Sequence, residues 1–280
     1  MKRYIYFIFL SCYAANLLLT GCVRQKFVVM DMVHHNPGEA MTESKFLDPS
    51  FLKKNEYGAK VFFLFEAAQF GIDWKSFDPS LFPDTTEAGR WVAEKAEIIH
   101  KKYDAAKKED LQVYCMLDML VLPSLLVEKH RTELTNDQGK LDISKPYTQL
   151  CIRELMKEMF ETFPQLDGLV IRTGETYLHD APYYVGNHPV QNGMYDHITL
   201  INLLREEVCE RRNKKLFYRT WDMGQLHSVP KYYLSVTDSI EPHPNLYFSI
   251  KHTMTDFWRS AIVNPDMNYS ALDKYWLEES

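Results

Sequence analysis

Residues able to do chemistry recur just past short apolar runs of this chain. They are Asp31 with His34 and His35, Glu66, Asp118, Arg172 with Glu175, Arg219 with Asp222, and Lys251 with His252 and Asp256. Two carboxylates have the most suggestive contexts. Glu175 follows Asp167-Gly-Leu-Val-Ile-Arg172-Thr-Gly, and Asp256 lies five residues past Lys251. Two carboxyl groups across a bond, one giving a proton and one activating water or attacking, are what glycoside hydrolysis requires. Each has a plainer use. Glu175 can simply pair with Arg172, and Asp256 can cap a short helix starting at Phe257. Arg172, Arg219 and Lys251 close three successive runs. Cations converging there suit an anionic substrate group, because a guanidinium grips a carboxylate through two parallel hydrogen bonds. Their plainer use is to balance Glu175, Asp222 and Asp256. The adjacent His34 and His35 would point to opposite sides of a strand. With no His-x-His present, a metal role is not expected, and no nucleotide loop or cofactor motif appears.

The elements that must position these groups alternate along the chain. Phe27–Met32, Lys60–Phe65, Leu111–Leu117, Gly168–Arg172, Lys215–Trp221 and Leu246–Lys251 are almost continuously apolar, as strands covered on both faces are. Helices fall between them. Asp84-Thr85-Thr86-Glu87 reads as a capping box that opens a helix to about Lys107. Ile152, Leu155, Met156, Met159, Phe160 and Phe163 mark one helix face, with Pro146 before it. Ile198, Ile201, Leu204 and Val208 mark another. Strand–helix alternation predicts an α/β fold. The chemistry gathers at strand ends rather than at one switch point, which favours a (β/α)8 barrel over an open doubly wound sheet. Six strands are expected where eight close a barrel, and Ser260–Ser280 reads as helix and loop. The barrel is therefore expected to be incomplete. An unclosed sheet exposes unpaired edges, so the chain is expected to be a fragment, to recruit a partner chain, or to hold strands that the apolar pattern does not reveal.

The first 21 residues read as a targeting segment. Lys2 and Arg3 precede an apolar stretch that ends Leu19-Thr20-Gly21-Cys22. This ending resembles the bacterial lipobox, which implies that Cys22 carries a lipid and that the chain is an exported, membrane-anchored lipoprotein whose barrel occupies residues 22–280. Cys115, Cys151 and Cys209 have no CxxC spacing and are expected to be small buried hydrophobes. The composition is 46% hydrophobic and 25% charged, which excludes a disordered chain. A net charge of -6 sets nucleic acid aside as a partner. Aromatic residues make up 14%, which fits a carbohydrate-handling surface and equally a large core.

Three segments together resemble the α-glucuronidases of glycoside hydrolase family 67. Asp167–Glu175 is similar to the family strand that runs from a basic residue to the acid Glu, with Arg172 in place of its Lys and one residue fewer before the Glu. Phe217-Tyr-Arg219-Thr-Trp221 is similar to its aromatic–Arg strand, and Ser249–Phe257 matches its Lys-to-Asp spacing. The resemblance implies an inverting mechanism, with Glu175 protonating the leaving oxygen and Asp256 activating water. Arg172, Arg219 and Lys251 would hold a uronate, with Trp221 and His252 also contacting substrate. Relative to the family, the accessory domain before the barrel, the later strand with a second carboxylate and the C-terminal helical region are expected to be missing. The loop after Glu175 is tyrosine-rich. Two other readings are a lipoprotein that binds acidic glycans without turnover, and a barrel glycosidase of retaining type.

Overall fold

The computed structural model describes residues 28–31, 44–63, 66–222, 224–251, 253, 263, 265 and 276–279. Seven parallel strands form one sheet: β1 (Met30–Asp31), β2 (Ala59–Phe62), β3 (Gln112–Asp118), β5 (Gly168–Arg172), β7 (Lys215–Arg219), β8 (Leu246–Lys251) and β9 (Trp276–Glu279). β4 (Val121–Pro123) and β6 (Tyr184–Gly186) form a separate antiparallel pair. The seven strands stand side by side in chain order, with no reversal. Crossovers between parallel strands are right-handed, so repeated steps in one direction put every connecting helix on the same face. The sheet must then curl to cover its other face. A doubly wound sheet would reverse direction at a switch point. The fold is α/β, of incomplete (β/α)8 type, as expected.

The strand faces separate into two cores. Val113, Cys115 and Leu117 of β3, Leu169 and Ile171 of β5, and Leu216 and Tyr218 of β7 face outward. They join the helix residues Ile99, Tyr103, Ile152, Leu155, Met156, Leu200 and Leu204 in one large cluster. The intervening residues, Ala59, Val61, Tyr114, Met116, Val170 and Phe217, form a second, smaller cluster on the inner face. Period-two alternation is what separates them. Each Leu or Ile fully buried in the outer layer contributes roughly 1.5–3 kcal/mol over leaving it exposed. Lys60 is the odd member of β2. Only 1% exposed, it donates from Nζ to the Phe46 carbonyl at 2.7 Å.

Several expected boundaries move. β5 and β8 fall where the apolar runs place them. β2 begins one residue earlier and stops at Phe62, β3 shifts by one residue, and β7 ends at Arg219 rather than Trp221. The expected six strands become seven. Trp276–Glu279, part of a stretch expected to be helix and loop, pairs with β8 from Phe248↔Trp276 to Lys251↔Glu279. Two apolar residues followed by two glutamates carry no strand pattern of their own, and the hydrogen bonds of a neighbouring strand supply the order. The first long helix, Glu87–Lys108, starts at an N-cap Thr86 whose hydroxyl accepts from Gly89 N at 3.0 Å. The expected box from Asp84 to Glu87 is therefore not the cap, because Thr86 already reaches the N3 amide. Pro146–Thr162 begins on its proline and buries the expected face. Met194–Leu204 continues into a π-turn over Arg205–Glu210. Cys115, Cys151 and Cys209 are free and buried, and burial pushes each thiol up to about 12. Among the described residues no helix is long and apolar enough to cross a membrane. The expected signal of residues 1–21 and the Cys22 lipid site lie outside the described residues.

Gly168 opens β5 against the backbone of β7. A Cβ there would stand 2.0 Å from the Lys215 carbonyl oxygen, a backbone atom that cannot swing away. Gly168→Ala should therefore lower the urea unfolding midpoint by an amount worth about 1–3 kcal/mol. An unchanged midpoint would show that β5 and β7 can part there freely.

Candidate active site

The inner-face alternation that buries Met116, Val170 and Phe217 puts Asp118, Arg172 and Arg219 on the same face two residues further on. On β8 the same alternation runs Tyr247, Ser249, Lys251. Because the strands are parallel, these ends open on one rim, the rim where barrels of this type build their sites. Asp118 and Arg172 are register partners on adjacent strands. Arg172 donates from Nε to Asp118 Oδ1 at 2.5 Å and from Nη2 to Oδ2 at 2.7 Å, and both residues are 7% exposed. This is the two-pronged geometry that a guanidinium gives a carboxylate. Tyr177 N adds a third bond to Asp118 at 2.9 Å, and the Arg172 guanidinium lies 4.5 Å from the centre of the Tyr177 ring.

Glu175 stands at the edge of this pair. Its Oε2 accepts from the Tyr177 hydroxyl at 2.9 Å and lies 3.9 Å from Arg172 Nη1, and its side chain is 39% exposed. The Glu175 carboxylate, helped by burial, raises the Tyr177 hydroxyl above its ordinary value, so it remains a donor. The expected pairing of Arg172 with Glu175 is thus secondary, and Arg172 is held chiefly by Asp118. Gly174 brings this loop onto the next one. A Cβ there would meet the Trp221 carbonyl oxygen at 2.8 Å, so a glycine is what allows the approach. Trp221 carries the Lys251 ammonium 4.2 Å from its ring centre and meets His227 edge to face at 4.6 Å. Arg219 Nη1 lies 3.7 Å from Met116 Sδ. The structure therefore brings Arg172, Glu175, Arg219, Trp221 and Lys251 to one rim. His252 and Asp256, the other two expected members, lie outside the described residues, as do His34 and His35. Glu66 pairs with Lys102 instead of joining the mouth.

Three contributors go beyond the sequence reading. Asp118, a strand-end carboxylate in the sequence, is the partner of Arg172. His197 is fully buried and bridges Tyr218 OH (2.9 Å from Nδ1) and Asp222 Oδ2 (3.2 Å from Nε2). It falls on the helix stripe with Leu200, Ile201 and Leu204, and that position was its one signal. Asp222 also accepts from Gly224 N at 2.8 Å, so it fixes the turn that follows Trp221. Burial works against its charge, but the His197 imidazole and the Gly224 amide outweigh burial and hold its carboxyl below the ordinary value. Gln69 is the third. It lies on the turn Ala68–Gly71 after β2, is 3% exposed, and lines a cavity with Met116, Asp118, Arg172 and Tyr177. Its Oε1 is buried without a hydrogen-bond partner among the described residues, a situation that costs about 1–3 kcal/mol. Among the described residues no group of three or more His, Cys, Asp or Glu side chains is placed to hold a metal.

No protein-family model matches the chain, and no curated protein matches it. Solved structures similar to it include a GH138 enzyme targeting pectin rhamnogalacturonan II, at 14% identity over 81% of this chain and 25% of that one, with a TM-score of 0.45. CpGH84B aligns at 9% identity over 81% and 33%, with a TM-score of 0.46. A glycoside hydrolase family 5 enzyme from Prevotella bryantii B14 aligns at 10% identity over 83% and 65%, with a TM-score of 0.43. The chain spans about a quarter and a third of the lengths of the first two.

Two outcomes follow from this geometry. Asp118→Ala strands a buried guanidinium and should cost about 3–5 kcal/mol in urea unfolding. Adding Arg172→Met in the same chain should recover much of that loss, and equal costs for single and double variants would show that the pair is uncoupled. For Asp222 the folded value lies below the unfolded one, near 3.9. Its stabilisation is therefore present above pH ~4 and lost as the pH falls through the depressed value. Asp222→Asn should lower the melting temperature at neutral pH and flatten its acid limb. A parallel downward shift at every pH would refute the linkage.

Proposed function

We propose that this chain is a glycoside hydrolase-like protein that acts on uronic-acid-bearing glycans by inversion, in the manner of the family 67 α-glucuronidases. The observation that carries the reading is the single rim on which Glu175, Arg172, Arg219, Lys251 and Trp221 stand together around the Asp118–Arg172 pair. Glu175 faces the mouth with a carboxyl that Tyr177 orients, and it protonates the leaving oxygen. Asp256 activates water on the other side of the sugar ring. Arg219 and Lys251 take the substrate carboxylate, and Arg172 contributes through Nη1, since Nε and Nη2 are given to Asp118. Trp221 and His252 complete the sugar contacts. Export and lipid attachment at Cys22 would present the site to carbohydrate outside the cytoplasm, and no cofactor takes part in this scheme.

The test is incubation of the chain with a xylo-oligosaccharide bearing a glucuronic acid branch, following released glucuronate and its first anomer by NMR. Glu175→Gln should lower kcat by roughly 100-fold or more with little change in affinity, the usual cost of losing a general acid. Arg219→Ala should act mainly on KM. Full activity of both Glu175→Gln and Asp256→Asn would overturn the site assignment. Saturable binding with no product on long incubation would leave a glycan-binding protein in its place.

A further inference from the structure

The Gln69 cavity is lined from the segment after β2, from β3, and from β5 and the loop after it, and Glu175 is not among its walls. Its walls are Phe63, Ala67, Phe70 and Met116 on the apolar side, and Asp118, Arg172 and Tyr177 on the polar side. The volume is about 10 Å³, room for one oxygen atom. The turn that carries Gln69 is pinned. Ala68 N reaches Cys115 Sγ at 3.1 Å, the Tyr184 hydroxyl donates to the Gln69 carbonyl at 3.4 Å, and Phe70 sets its edge on Tyr184 at 5.0 Å between centres. The backbone of Gln69 is therefore fixed where the residue lines the cavity, and its buried Oε1 has no hydrogen-bond partner among the described residues.

The chemistry of the walls selects the ligand group. An acceptor calls for a donor. A carboxylate is repelled by Asp118 and offers no proton. An ammonium is repelled by the Arg172 guanidinium, which already satisfies Asp118. A neutral hydroxyl fits both demands: it donates to Gln69 Oε1 and still accepts from a neighbouring N–H. We infer that Gln69 is a specificity-determining residue that reads one hydroxyl of the bound sugar beside Arg172, across the mouth from Arg219 and Lys251. This rests on the glycan reading above and adds the orientation of the sugar: carboxylate toward β7 and β8, one hydroxyl toward β2 and β3.

The probes are methyl α-D-glucuronide, its monodeoxy derivatives, and methyl α-D-glucoside as the carboxylate-free counterpart, titrated calorimetrically into the full chain and into Gln69→Met. Methionine keeps the length and removes the acceptor. The expected result is a loss of roughly tenfold or more for the parent glycoside, with one monodeoxy derivative bound equally by both proteins. Without ligand, the variant should melt at the same temperature as the parent chain or higher, because a buried orphan acceptor has gone. Equal affinity of both proteins for the parent glycoside, the same loss on every derivative, a variant that melts several degrees lower, or a parent chain that binds neither glycoside would each overturn the inference. If the glucuronide binds no more tightly than the glucoside, the uronate reading fails alone, and the glucoside's own monodeoxy series then decides the role of Gln69.

Discussion

A carboxylate and a guanidinium face each other across two adjacent strands at the top of the sheet, and the mouth is organised around them. Asp118 and Arg172 are register partners, both are buried, and they close two hydrogen bonds. Separating two such charges inside a protein leaves each without solvent, so the pair holds only while both strands keep this register. Register in turn decides which side chains point inward, since a slip of one residue would turn every one of them to the other face. The same carboxylate takes the amide of Tyr177, and the same guanidinium lies against its ring. The segment that carries Glu175 is thereby tied at Arg172 on one side and at Tyr177 on the other.

The second half of the mouth is held differently. Trp221 and the turn after it are fixed from below by Asp222, His197 and Tyr218, a buried chain of hydrogen bonds that starts on the Met194–Leu204 helix. His188 adds a contact to the Asp222 carbonyl at 3.0 Å, which joins the long loop after β5 to the end of β7. With Gly174 packed on the Trp221 backbone, the β5 and β7 loops share one wall. Lys251 then sits over Trp221 from β8. Three consecutive strands of the sheet thus reach the site through contacts that each involve the next.

The sequence made the scaffold and the inward-facing cations legible because both follow from alternation along a strand. Arg172, Arg219 and Lys251 stand where apolar runs end, and β5 and β8 have their expected limits. β9 was not legible, because a strand of four residues with two glutamates owes its order to its neighbour. Asp118 could be seen as a strand-end carboxylate, but its partner is 54 residues away and only pairing of β3 with β5 brings them together. His197 lies next to the stripe Ile198, Ile201, Leu204 and Val208 in the sequence, and its partners Tyr218 and Asp222 are over twenty residues away. Gln69 gave no signal at all: its importance lies in what its carboxamide lacks, and that appears only once the surrounding side chains are in place.

The separation of the strand residues into two faces has an evolutionary consequence. Every group that could touch substrate on these strands is one peptide bond from a residue of the outer core: Arg172 from Ile171, Arg219 from Tyr218, Lys251 from Ile250. A lineage carrying this fold can exchange an inner residue and alter what the mouth accepts while the helix-packed layer stays as it was. Asp118 and Arg172 are the exception. Neither can be replaced alone without stranding the other, so the two positions can drift only as a pair, and descendants of this chain should keep both or lose both.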